Sequence, residues 1–165
     1  MTGGGSAPVA SDAELAACRR RLDAWTAARA TEGLPVLAAG REPDEPRWHV
    51  RLRGVDKEVV TVWLTVRQRT LHHEAQMMPA PAAGHEQVWA FLLRRNRTLP
   101  QLRFALGPED AVLVVGEVPV ARVDDDELDR IVGGSLALVD DCYPTAMALG
   151  YPGLWRPRPA RRTPG

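Results

Sequence analysis

The sequence has few of the residue types on which catalysis and metal binding depend. Its 165 residues include two cysteines, four histidines and a single lysine, Lys57. Cys18 and Cys142 do not form a Cys-x-x-Cys motif, so neither a zinc site nor a redox site is predicted. Both fall on apolar helix faces, where free buried thiols are expected, and their distance from each other is left open. No nucleophile elbow surrounds Ser135. An enzyme is therefore not predicted.

Net charge and long apolar runs are also absent. Twenty-one basic and 21 acidic residues give a formal net charge of zero, so a general attraction to nucleic acid or acidic membranes is not expected. No run approaches the ~18 apolar residues that are needed to cross a bilayer. Residues 1–10 lack the basic and apolar segments of a signal peptide. We expect a cytoplasmic protein without membrane insertion.

The histidines and acidic residues do not form a convincing ligand set. His72 and His73 are neighbours in a predicted strand, so their side chains point to opposite faces and cannot bind one ion together. His85 lies beyond a Pro/Ala loop. Residues 124–126 are all aspartate, but they begin a predicted helix, where carboxylates act as caps. The sequence therefore predicts no metal and no cofactor.

The strongest local pattern is a short apolar helix at residues 87–96, where apolar residues recur at helical spacing. Trp89 and Phe91 are predicted to anchor this helix in the core. Asn96 suits a left-handed helix cap, and Pro100 prevents the helix from continuing. Two strands separated by a Gly-Pro turn follow.

The remaining elements complete an order of α-β-β-β-α-β-β-α. Helical spacing predicts a first helix and a last helix, and alternation of apolar residues predicts five strands. The predicted ranges are 12–29 and 124–144 for these helices, and 48–53, 58–66, 70–78, 102–106 and 111–115 for the strands. Residues 31–46 are predicted to be a connecting loop, in which residues 34–37 could form one short extended piece. Pro144 is expected to kink or end the last helix. The fold class is α+β, an antiparallel five-stranded sheet packed by helices.

Three segments are predicted. Residues 1–10 are expected to be a disordered tail, residues 11–150 the α+β domain, and residues 151–165 a Pro/Arg-rich, disordered tail. Tyr151, Leu154 and Trp155 leave a second interpretation open, in which the C-terminal tail docks on the domain like a tethered peptide.

Strand 58–66 is apolar on both faces, which exceeds what one layer of helices can cover. Val59, Trp63 and Thr65 lie on its less apolar face and are candidates for a surface that binds a partner or a peptide. Gly133 and Gly134 could allow the last helix to approach a second copy closely, so a homodimer is predicted. The alternative is a monomer in which Trp63 is buried beneath the first helix.

Several stretches together resemble the YbjN-domain family. They are residues 92–96 with Asn96, the strand at 102–106 with Arg103-Phe104, residues 111–117, residues 124–128, and Asp141-Cys142-Tyr143-Pro144. That family is similar in fold to type III secretion chaperones, small α+β dimers that bind extended peptide. The resemblance implies a non-enzymatic, chaperone-like module that binds a peptide or protein client. It covers neither the Pro/Arg tail nor the loop at 31–46, and it does not identify the client.

A nucleic-acid-associated regulator is the alternative function. It would use the arginines of the first helix, of the strands and of the tail, of which the main ones are Arg19, Arg20, Arg21, Arg51, Arg53, Arg67 and Arg69. Zero net charge and the lack of a known reading motif make nucleic acid the less favoured partner.

Overall fold

A computed structural model describes residues 6–159, which form one six-stranded antiparallel sheet and three α-helices. The helices are α1 (Asp12–Arg29), α2 (His85–Asn96) and α3 (Asp125–Gly150). The strands are β1 (Val36–Arg41), β2 (Arg47–Arg53), β3 (Val59–Val66), β4 (Thr70–Met78), β5 (Arg103–Leu106) and β6 (Val112–Pro119). Their order across the sheet is β1-β2-β3-β4-β6-β5, and every neighbouring pair is antiparallel.

The α+β class with an antiparallel sheet packed by helices is confirmed, but the predicted number of five strands is wrong. The additional strand, β1, lies within residues 31–46, which were predicted to be a loop with at most a short extended piece at 34–37. Its sequence, Val-Leu-Ala-Ala-Gly-Arg, has no alternation that local reasoning could detect. It is a strand because it pairs with β2, and a bulge between Val36 and Ala38 adjusts the register.

One face of the sheet carries the core, and all three α-helices of the described chain pack on it. Alternate residues of β3 are buried, which is the pattern of a strand with one face in the core. The core includes Trp48, Val50, Val62, Leu64, Leu71 and Met77 from the sheet, and Leu22, Trp25, Val88, Leu92, Leu128 and Val139 from the helices. Trp48 is 0 % exposed, and its indole Nε1 donates to Asp23 Oδ1 on α1 at 2.8 Å.

The two long helices begin where their caps predict. Glu14 N donates to Ser11 Oγ, and the Glu14 carboxylate accepts from Ser11 N, which completes a capping box. Glu127 N donates to Asp124 Oδ1 at 2.8 Å at the start of α3. Pro144, however, does not end α3, which continues to Gly150. A Cβ on Gly150 would lie 3.1 Å from the side chains of Met78 and Pro81, so this last turn packs tightly on the body.

Helix α2 is less buried than its apolar sequence predicts. Val88 and Leu92 are buried, whereas Trp89 and Phe91, the predicted anchors, are half-buried and pack against the margin of the core. The reason is the position of α2 beside α3 and the outermost strand, β5, where only a narrow stripe of the helix meets the core.

Asn96 has a different role from the left-handed cap that the sequence predicts. The capping residue is Arg97, which has a right-handed conformation. The Asn96 side chain instead donates to Phe104 O at 3.1 Å and accepts from Phe104 N at 2.7 Å. Gly107 N donates to Ala111 O, which fixes the register so that the N–H and C=O of Phe104 point away from β6. Asn96 therefore closes this edge of the sheet.

Asn96→Ala should lower the free energy of unfolding by about 1–3 kcal/mol, because it leaves the Phe104 N–H and C=O without their partner. Urea denaturation measures the change. Arg97→Ala, one residue further along and exposed, is the matched control and should change stability little. Equal small effects of both substitutions would mean that water replaces the Asn96 amide at no cost.

The described parts of both tails contact the domain. Ala10 N donates to Gln68 O at 3.0 Å. At the other end, the Trp155 ring stacks edge-on against Tyr143, with centroids 5.8 Å apart, and Tyr151 Oη donates to Ala80 O. Tyr151 and Trp155 thus contact the domain, whereas Leu154, the third residue of the docked alternative, is 78 % exposed. Residues 1–5 and 160–165 lie outside the described residues, and the domain boundaries at 11 and 150 stay a prediction.

Candidate functional site

The second face of the sheet is the candidate site, because no α-helix within residues 6–159 covers it. We call it the open face. It consists of the odd-numbered residues of β2, β3 and β6 with the even-numbered residues of β4 that lie beside them. Trp63 belongs to this face, so the alternative in which α1 buries Trp63 is wrong. An open groove of about 980 Å³ runs over the open face, between Arg47 and Trp63 on one side and Pro108 and Leu113 on the other.

Trp63 is held in position by its neighbours and stays half-buried. The Arg47 guanidinium lies over its ring, 4.0 Å from the centroid, and the His49 ring contacts it edge-on at 5.5 Å. Glu74 lies directly opposite Trp63 in the β3–β4 pairing. A large, flat side chain is therefore presented to solvent in a fixed orientation, flanked by a cation and an anion.

A row of side chains that combines arginines, carboxylates and His72 lies beside Trp63. Arg47 Nη2 lies 3.4 Å from Glu74 Oε1, and His72 Nε2 lies 3.3 Å from Glu74 Oε2. Further along, Glu117 Oε1 lies 3.6 Å from His72 Nδ1 and 3.2 Å from Arg67 Nη1. This row provides both hydrogen-bond donors and acceptors next to the aromatic ring.

The structure brings two of the three predicted surface residues together in the groove. Val59 and Trp63 line it. Thr65 lies on the same face, between Arg47 of β2 and His72 of β4, but not among the residues that line the groove. The other side of the groove comes from Glu74, Gln76 and the Gly-Pro turn before β6. The sequence could not identify these residues, because the strand register that places them here is non-local.

The predicted dimer contact lies elsewhere, on α3 in the helix layer. Gly133 is exposed, and a Cβ there would meet no atom within 4 Å. Gly134 instead faces Leu102, whose Cδ1 would lie 3.5 Å from such a Cβ. A contact between copies at Gly133 and Gly134 stays a prediction.

His73 is a buried titratable residue on the core face of β4. It is 3 % exposed, and burial, assisted by the charges of His72, Arg103 and Arg130, lowers the pKa of His73 to about 4. The imidazole is therefore neutral at neutral pH. The ring fits because residue 116 is glycine: a Cβ at Gly116 would lie 2.4 Å from His73 Cε1.

Other candidate groups do not assemble into a reactive site in the described part of the chain. His72 and His73 lie on opposite faces of β4, and no cluster of three potential ligands occurs among residues 6–159. Both cysteines are free and buried, and burial is the main cause that raises the pKa of the Cys18 and Cys142 thiols, which favours their protonated forms. None of the described helices has the length and hydropathy to cross a bilayer.

A second, smaller groove lies between α2 and β5 and was not predicted. We call it the edge groove. It measures about 380 Å³ and is lined by Trp89, Leu92, Leu93, Phe104 and Leu106 among others. Leu93 is 69 % exposed and Leu106 52 % exposed, so this groove is a second exposed apolar surface of the described chain.

Comparisons with known proteins give a family and several relatives. The sequence model of the YbjN family, described as "Putative bacterial sensory transduction regulator", matches residues 33–147. The uncharacterised protein Rv0487 of Mycobacterium tuberculosis is 33 % identical over 106 residues, 64 % of this chain and 58 % of the relative. The uncharacterised protein ML2442 of Mycobacterium leprae is 33 % identical over 102 residues, 62 % of this chain and 55 % of the relative. The chain thus spans little more than half the length of these curated relatives.

Among solved structures, the heterodimeric complex ExoU–SpcU from the type III secretion system of Pseudomonas aeruginosa contains a similar chain. The similarity has a TM-score of 0.49 at 13 % sequence identity, and it covers 74 % of this chain and 95 % of that one.

Proposed function

The chain belongs to the YbjN family, and on that premise we propose that it is a non-enzymatic, chaperone-like binding module whose open face takes an extended segment of a partner protein. The observation that carries the proposal is the groove over the open face, with Trp63 in its wall. A tryptophan that is fixed in orientation and accessible is the kind of side chain that dominates binding energy in protein interfaces.

The chemistry of the groove suits a peptide. Its volume of about 980 Å³ is at the upper end of the range for ligand sites. Val59 and Leu113 offer apolar contact area, while Arg47, Glu74 and Gln76 offer donors and acceptors. An extended peptide presents side chains alternately to its two sides. It can therefore contact the apolar residues of the groove and also bond with its polar residues.

The distribution of charge supports a protein partner over nucleic acid. The open face contains Glu74 and Glu117 beside its arginines, so phosphate groups would meet carboxylates there. On the first helix, Arg21 lies 3.3 Å from Asp125. A nucleic acid gains less binding free energy from an arginine that is already paired with a carboxylate than from an unpaired one.

Trp63→Ala should weaken binding of a peptide selected from an extended apolar library by about 30-fold, because truncating such an aromatic anchor costs roughly 2 kcal/mol or more. Isothermal titration calorimetry with the purified variants measures the change. Trp89→Ala is the matched control, since Trp89 is also half-buried but lines the edge groove.

Two outcomes would contradict the proposal. Loss of binding in Trp89→Ala with full binding in Trp63→Ala would place the partner in the edge groove. No peptide binding, together with a steep loss of affinity for random DNA between low and physiological salt, would favour the nucleic-acid alternative. Homodimerisation and a cytoplasmic location remain predictions.

A further inference from the structure

The two edges of the sheet differ in how they are protected from other chains. At the β5 edge, the strand is only four residues long, and the Asn96 amide occupies the outward N–H and C=O of Phe104. The β1 edge is six residues long, and its sequence up to Gly40 contains no charged residue and no proline. Charged residues, prolines and covering side chains are the usual means of protecting an edge, and β1 has one bulge instead.

The pairing of β1 with β2 shows which backbone groups point outward. Glu42 N donates to Arg47 O. At every second residue before Glu42, at Gly40 and Ala38, the backbone N–H and C=O therefore also point towards β2. By the alternation of antiparallel pairing, the N–H and C=O of Ala39 and Arg41 point away from the sheet. In the part of the chain that the structure describes, these groups have no hydrogen-bonding partner.

We infer that the β1 edge pairs with the β1 edge of a second copy, so that two sheets join into one around a two-fold axis at Gly40. In this antiparallel register, Ala39 of one copy lies opposite Arg41 of the other, and each of these pairs exchanges both of its outward N–H···O bonds. Gly40 lies opposite its own equivalent on the axis.

This edge complements itself, which is why a second copy fits better than a foreign strand. Arg41 meets Ala39 of the second copy and not another arginine, so no like charges are opposed. Arg41 is also engaged within its own chain: its guanidinium lies 5.0 Å from the Trp48 ring centroid and 3.4 Å from Asp23 Oδ2. The small side chains at residues 38–40 place no bulk on the axis.

Gly40 offers a substitution that should affect the dimer and spare the fold. A Cβ at Gly40 would lie 3.5 Å from the His49 ring, which is an ordinary contact, so a side chain is accommodated within one chain. In the paired edges, Gly40→Lys would place two lysines opposite each other. We expect it to raise the dimer dissociation constant about fivefold or more, as measured by sedimentation velocity over a wide concentration range.

Variants of opposite charge at Gly40 provide a second test of the same contact. Gly40→Glu should weaken self-association in the same way, and an equal mixture of the Gly40→Lys and Gly40→Glu proteins should restore dimers. Gly40→Thr is the neutral control and should retain the wild-type dissociation constant. Ala39→Pro removes an N–H that points outward, so it should abolish the dimer while the circular dichroism spectrum stays unchanged.

The inference is overturned if the wild-type protein is a monomer at every concentration, or if the mixture does not restore dimers. It is also overturned if Gly133→Leu, at the exposed α3 position, weakens the dimer while Gly40→Lys does not. None of these results depends on whether the open face binds a peptide.

Discussion

Trp48→Ala is expected to lower the free energy of unfolding by about 3–5 kcal/mol. Trp48 is 0 % exposed on the core face of β2, where its ring packs beneath α1. The substitution removes the largest of the fully buried side chains in the described chain and leaves a cavity. It also removes the hydrogen bond from the indole to Asp23. The shift of the urea denaturation midpoint, with the slope held constant, measures the change.

Trp63→Ala is the matched comparison, because Trp63 is the same residue type one strand away on the opposite face. It is half-buried, so its loss should cost only about 1 kcal/mol. Equal losses of several kcal/mol from both substitutions would mean that the open face is covered in solution, and the assignment of the site would then fail.

The stability of the protein should fall on acidification in a way that depends on His73. The ordinary pKa of histidine is 6.5, and in the folded protein the pKa of His73 is lowered to about 4. Between these two pH values the unfolded chain binds a proton that the folded chain does not. The free energy of unfolding should therefore decrease as pH falls from about 6.5 to about 4, by roughly 3 kcal/mol in total. Above pH 6.5 both states are neutral at this residue, and the effect vanishes.

The contribution of His73 can be separated from that of the carboxylates by a difference measurement. His73→Leu removes the titrating group, so its free energy of unfolding should decline less than that of the wild-type protein over this pH range. If the free energy of unfolding declined equally with pH in the wild-type protein and in His73→Leu, the folded protein would bind a proton at His73 over the same pH range as the unfolded chain.

Local patterns were sufficient to predict most of the elements of this fold. Alternation identified β3, whose buried residues occur at every second position, and the capping pairs marked the starts of α1 and α3. For β1 the sequence indicated at most a short extended piece at 34–37, because its small residues have no periodicity and only pairing with β2 makes them a strand. Pro144 remains inside α3 because tertiary packing outweighs a local preference.

The candidate site was only partly predictable, because it too depends on contacts between strands that are distant in the sequence. The two-sided pattern of β3 pointed to Trp63 and Val59, and both line the groove, whereas their role in binding a partner stays a prediction. The partners Arg47 and Glu74 come from other strands, and their contact with each other depends on the register of the sheet. Asn96 shows the converse: its local sequence fits a helix cap, whereas the structure uses its amide to close an edge.

The most direct test of the open face as the binding site is to titrate the selected peptide into the isotope-labelled protein and follow the tryptophan indole N–H signals by NMR. We expect the Trp63 signal to shift with peptide concentration. The Trp25 and Trp48 signals should stay in place, because their indoles are buried and donate to Asp129 and Asp23. A stationary Trp63 signal, with shifts at Trp89 in the edge groove or at Trp155 in the docked tail, would contradict it.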